Sequence, residues 1–174
     1  MLYYGPFRVL SRIACLLGGL FCSSLAHSAG PTTDSAIRGA YGDWALRCES
    51  TASSSIEQCV LVQSVAAENK PDVQMAVIVL RAPNGGFILR VVVPLGIILP
   101  SGLGLKIDKV DIGRTGFMRC LANGCMAEVV MDDTLLNRFK TGDTALFVIF
   151  LTPDEGVGIP IQLTGFSSGL SKLQ

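Results

Sequence analysis

Cys48, Cys59, Cys120 and Cys125 are the residues of this chain whose type and spacing point most directly to chemistry. In Phe117-Met-Arg-Cys-Leu-Ala-Asn-Gly-Cys-Met126 the last two flank an Asn-Gly turn, so three readings compete: a metal knuckle, a redox centre or a staple across a hairpin. C-x4-C lies at the loose end of zinc-ligand spacing, and the C-x10-C of Cys48 and Cys59 falls outside it. A redox pair prefers C-x-x-C at a helix start, where the dipole lowers a thiol pKa, whereas these cysteines sit in strand-like apolar runs. A tight turn between Cys120 and Cys125 would set them opposite each other, with Cα atoms about 4.5 Å apart, within disulfide reach. Cys48 and Cys59 enclose a polar, Ser-rich loop and suit the same pairing. Local pairing is one of the three connectivities open to four cysteines. In the loop-entropy account, two such bridges would contribute about 2 to 3 kcal/mol each.

The carboxylates come in three pairs, Asp108 with Asp111, Asp132 with Asp133, and Asp154 with Glu155. Glycoside hydrolysis needs two acids across a cleft with one pKa raised, but these pairs fall in turns or at a helix start, where capping and solvated acids are ordinary. Gly-x-Ser-x-Gly is absent, and the single histidine, His27, lies at the edge of the N-terminal segment, so a serine triad has no centre. Lys106, Lys109, Arg114 and Arg119 gather in one stretch, but Asp108 and Asp111 interrupt it, which reads as a solvated loop. The expectation is therefore no catalytic, cofactor-binding or metal-ligating residue and no cofactor, with the four cysteines as disulfides.

Short apolar, β-branched runs separated by Gly, Pro and Asn must position these cysteines: 44–48, 58–65, 75–81, 87–93, 105–108, 117–121, 125–131, 144–151 and 159–164. The pattern predicts an all-β fold, a mainly antiparallel sandwich or barrel, with one or two short helices. Pro83-Asn84-Gly85-Gly86 and Ala122-Asn123-Gly124 predict two hairpins. Residues 87–93 are apolar apart from Arg90, which predicts a central strand covered on both faces. Residues 132–140, with Asp132 or Asp133 as cap, Leu135, Leu136 and Phe139 on one face and Gly142 beyond, predict a helix lying against the sheet. A second helix over the tail from Phe166 is weakened by Gly169. Trp44 reads as a core anchor.

Residues 1–29 read as a signal peptide: Arg8 and Arg12 precede an apolar run too short for a membrane span, and small residues surround cleavage points after Ala26 and Ala29. Residues 30–40 read as a flexible segment and 41–174 as one β domain. Loss of Arg8 and Arg12 leaves 12 basic against 14 acidic side chains, which disfavours nucleic acid as a partner. An even cysteine count after a leader fits an oxidising destination. The stretch 88–99, broken by Arg90, Pro94 and Gly96, is not a spanning helix, and the alternatives are a buried strand or an apolar surface for a partner or the outer membrane.

Six motifs in order, YGDWALRCE, CVLVQSV, VVVPLGIILPSGLGLKID, FMRCLANGCMAEVV, a Leu-rich helix ending in KTGD, and IPIQLTGFSSGL, resemble the invasion-associated locus B (IalB) family of exported bacterial proteins. The resemblance covers nearly all of residues 41 to 171. It implies a compact, mainly β exported domain of a Gram-negative bacterium, with Cys48, Cys59, Cys120 and Cys125 at the family's cysteine positions. The family has no established catalytic residues to carry over. Gly169 departs from it, standing where a helix former is usual. The expected function is non-enzymatic binding of an unknown protein or envelope component in the periplasm or at the outer membrane, including peripheral association and a link to host cells. The rival expectations are an envelope hydrolase acting through carboxylates and a small apolar-ligand carrier.

Overall fold

A computed structural model describes residues 34–50 and 57–173, and the leader expected over 1–29 lies outside them. In chain order the strands are β1 (Asp34–Tyr41), β2 (Trp44–Ser50), β3 (Gln58–Ala67), β4 (Lys70–Arg81), β5 (Phe87–Val93) and β6 (Leu103–Ile107). There follow β7 (Val110–Thr115), β8 (Arg119–Leu121), β9 (Gly124–Met131), helix α1 (Asp133–Thr141), β10 (Thr144–Thr152), β11 (Glu155–Gln162) and helix α2 (Phe166–Leu170). They form a seven-stranded sheet, β1-β2-β3-β4-β5-β9-β8, and a four-stranded sheet, β11-β10-β6-β7, antiparallel throughout. The all-β expectation is met, and of its two forms the chain adopts the sandwich.

The core lies between the sheets. Alternate residues of the large sheet, among them Leu61, Val77, Val79, Leu89 and Val91, face Phe147, Ile149, Ile159 and Ile161 of the small one. Burial of these side chains from water is the main favourable term in closing the sandwich. The helices seal one end. Asp132 caps α1 by accepting a hydrogen bond from the Leu135 amide at 2.7 Å, and the helix buries Leu135 and Phe139. Phe166 of α2 contacts both Phe139 and the fully buried Trp44, with ring centroids 5.4 and 5.2 Å away. The Trp44 indole N–H donates to the Gln162 carbonyl at 2.9 Å, which ties the large sheet to β11.

Four differences from the sequence reading have physical causes. The segment expected to be flexible, 30–40, contains most of β1, which pairs with β2 from Asp34 onward, so the sheet begins before residue 41. Its small, aperiodic side chains give no signal, but an edge strand needs only backbone pairing. Strand β7 was expected as loop: Asp108 and Lys109 make the β6–β7 turn at positive φ (49° and 70°), without the Asn-Gly that announces such turns. Strand β11 starts at Glu155 rather than 159, because Gly156 and Gly158 dilute its apolar pattern. Finally, β5 is central but not covered on both faces: Leu89, Val91 and Val93 are buried, while Ile88, Arg90 and Val92 are only half-buried on the other side.

Candidate functional site

The cysteines are joined locally. Cys48 faces Cys59 across β2–β3 and Cys120 faces Cys125 across β8–β9, and each pair is a disulfide. Gly124 makes the second hairpin possible: at φ 141° it lies so close to β5 that a Cβ would stand 2.3 Å from the Val93 carbonyl oxygen. The bridge ties β8, a three-residue strand at the edge of the sheet, covalently to β9. Glu57 stands beside the other bridge, its carboxylate and the two sulfurs within 4.8 Å of one another. Sulfurs bonded to each other offer no thiolate to a metal, and Glu57 instead pairs with Arg38.

The acidic pairs are dispersed into structural work. Asp108 accepts from the Asp143 and Thr144 amides at 3.1 and 3.0 Å, pinning the β6–β7 turn to the start of β10. Asp132 is the α1 cap, and Glu155 pairs with Lys70. Asp111 and Asp132 do line one open groove beside Thr134 and Arg138, which places acids of two elements on a common surface. The basic stretch is also dispersed: Lys106 and Arg114 lie on the small sheet and Arg119 on the large one, with Arg114 stacked over Phe150 at 5.0 Å and donating to the Ser101 carbonyl.

Two apolar features remain. One is a cavity of about 120 Å³ between the sheets under the β7 edge, lined by Leu89, Val91, Leu103, Ile112, Leu135 and Phe147 among others. The second is the outer face of the large sheet, where the register aligns side chains in three rows. Val60, Leu80, Ile88 and Val130 make the first row. Val62, Ile78, Arg90 and Glu128 make the second, and Ala76, Val92, Met126 and Arg119 the third. Val130 is 73% exposed, and none of these side chains belongs to the buried core. Arg90 and Glu128 form an ion pair in the middle row. Sequence reasoning held an apolar surface over 88–99 as one alternative but missed its extent over β3, β4, β5 and β9, because a nearly continuous apolar run equally signals cover on both sides. It also missed Gln63, buried on the inner face with its side-chain oxygen accepting no hydrogen bond within the described residues, although alternation from Leu61 places it there.

Fold and bridges together define the class: a small β-sandwich whose larger sheet carries two disulfides between neighbouring strands, closed at one end by two short helices. The family described as Invasion associated locus B (IalB) protein matches over residues 44–174, and the chain belongs to that family. An invasion protein B homolog of Brucella abortus (strain 2308) is 30% identical over 156 residues, spanning 87% of this chain and 88% of that protein. A second homolog, from Brucella abortus biovar 1 (strain 9-941), matches to the same extent. The crystal structure of invasion associated protein b from Bartonella henselae shares the fold, with a TM-score of 0.63 at 22% identity, covering 77% of this chain and 93% of that one.

Proposed function

We propose that this chain is an exported, non-enzymatic interaction domain of the cell envelope, working in the periplasm or peripherally at the outer membrane. It acts by seating a protein or envelope component on the outer face of its large sheet. The observation that carries this reading is the face itself: rows of Val, Ile, Leu and Met on one side of a sheet whose other side already forms the core. Contiguous apolar surface of this kind costs solubility and marks docking sites. The disulfides fit an oxidising compartment. By this reading residues 1–29 are the leader and the exported protein starts at Gly30, the alternative cleavage after Ala26 giving a start at His27, and N-terminal sequencing tells the two apart. The names of the Brucella and Bartonella proteins favour a role where the bacterium meets a host cell. Gene deletion with a host-entry assay tests that role, and unchanged entry sinks it.

A photo-crosslinking amino acid at position 88 or 130 tests the face directly. Adducts of defined mass are expected from these positions and not from position 109, at the opposite sheet's turn. Equal labelling from all three would remove the case for the face.

The cavity favours a second reading, as carrier of a small apolar group. At about 120 Å³ it is close to the roughly 150 Å³ that accommodates benzene and too small for a lipid. Titration with benzene-sized apolar probes should raise the melting temperature, and filling the cavity by Ala127→Leu should abolish that rise. No shift with any probe would end this reading. Of the two acids that share a groove, Asp132 is engaged in the α1 cap, which leaves a carboxylate hydrolase Asp111 in place of the required pair.

A further inference from the structure

We infer that the occupant of the outer face is a second copy of this chain, in a two-fold dimer whose axis runs along the strands between β5 and β9. The inference rests on the reading of that face as an interaction surface and names its partner. Its basis is charge placement. The apolar rows are interrupted at their middle by one cation and one anion, Arg90 and Glu128, directly opposite each other on neighbouring strands. An acyl chain or any uncharged surface laid over them would strip water from both and return nothing, which is costly for charged groups.

A two-fold axis between β5 and β9 exchanges those strands. It sets Arg90 against the partner's Glu128, and Glu128 against the partner's Arg90, so two ion pairs become a ring of four alternating charges. The same operation lays Ile88 on the partner's Val130 and Val92 on the partner's Met126, apolar on apolar, because the register pairs those residues across β5 and β9, and it leaves Arg119 over the partner's Ala76 only at the rim, where the guanidinium keeps its water. Other axes in the plane of the face fail. An axis across the strands along the middle row would set Arg90 against the partner's Arg90, and one between β4 and β5 would set Arg90 on the partner's Ile78. The strands of the two copies then run nearly parallel, as in aligned sheet packing.

Size sets the strength. β5 and β9 straddle the axis over three rows of side chains, and β4 meets the partner's β8 only at the third row, so strand and row spacing give roughly 250 Å² per copy. Standard interfaces use about 800 Å² per partner, so this dimer belongs with weak, concentration-dependent ones.

The test is sedimentation equilibrium of the disulfide-bonded protein over a concentration range of about a hundredfold. The protein should pass from monomer to dimer. Arg90→Glu and Glu128→Arg should each stay monomeric, since each makes the middle row of a single sign. Their equimolar mixture should dimerise at least about tenfold more tightly than either alone, because one variant supplies acids where the other supplies bases. The double variant, with the charges exchanged, should dimerise like the parent, and an unchanged circular dichroism spectrum and melting temperature of each single variant show that its failure is not misfolding. A parent protein that stays monomeric, or a mixture no tighter than its components, overturns the dimer. If the monomer still gives a heterologous adduct from position 88, lost on Val130→Lys, the dimer falls and the interaction-surface reading stands. If it gives none, both fall.

Discussion

The two faces of the seven-stranded sheet are built from the same residue types and meet opposite fates. Leu61, Val77, Val79 and Leu89 on the inner face are sealed against the small sheet, whereas Val60, Ile78, Leu80 and Ile88, each one position away along its strand, look outward. Each face carries a polar interruption. On the inner face Gln63 is buried with an unsatisfied oxygen, and on the outer face Arg90 and Glu128 satisfy each other. Side-chain chemistry alone therefore does not decide what a strand buries. The second layer does, and here it covers one side.

The sharpest way to break this contrast is a matched pair of truncations. Leu61→Ala removes a fully buried side chain and should cost about 2 to 5 kcal/mol, the range for leucine truncation in a packed core. Leu80→Ala, on the outer row, should cost about 1 to 2 kcal/mol, because its side chain is only half-buried and lies outside the core between the sheets. Urea unfolding of both variants at low protein concentration measures the difference. Equal losses would mean that something covers the outer face even in the monomer.

Next in size are the devices that hold the large sheet together. Replacing Cys120 and Cys125 by serine should cost about 2 to 3 kcal/mol from the loop-entropy term. Amide exchange should then speed at Arg119–Leu121, which the bridge pins, and not at the inner positions of β4. Gly169→Ala tests the opposite end of the same sheet. A Cβ there would stand 2.5 Å from Leu61 Cδ1, so the substitution should destabilise by about 1 to 3 kcal/mol through overpacking despite alanine's better helix propensity. Leu61→Val beside it should recover part of that loss.

Gly169 also shows where the sequence was legible and where it was not. As a helix residue it argues against α2, and only the contact with Leu61, 108 residues away in the chain, explains why the position must lack a side chain. Local signals were read well. The Asn84-Gly85 and Asn123-Gly124 hairpins, the Asp132 cap, strand 87–93 and the adjacency of both cysteine pairs follow from spacing and turn chemistry, and the structure shows each. Features that depend on a distant partner were missed. Strand β1 has no pattern of its own and exists by pairing with β2, and the β6–β7 turn is held by Asp108 reaching amides beyond α1. Whether a face of β5 is covered depends on a sheet built from residues that come later in the chain. The outer face was therefore the least legible feature, though all its residues were in view.

A small gain is expected on the inner face. Gln63→Met keeps the volume and removes the unpaired oxygen, so stability should rise by about 1 kcal/mol, the scale of an unmet buried hydrogen bond. A loss of that size instead would mean that the amide has a partner in solution and that the inner face is less purely apolar than its neighbours suggest.

The smallest expected effect is the most discriminating. Val130→Thr keeps the β-branch that suits a strand and exchanges one methyl for a hydroxyl at a position 73% exposed, so the stability of the monomer should change by no more than about 0.5 kcal/mol. The same exchange at Val91, fully sealed on β5, would bury a hydroxyl and should cost about 1 to 3 kcal/mol. A near-silent Val130→Thr that nevertheless weakens docking on the outer face would show that its apolar character contributes to recognition rather than to folding. If Val130→Thr destabilised the monomer as much as the change at Val91, the face would be part of the core, and the distinction between the two sides of the sheet would disappear.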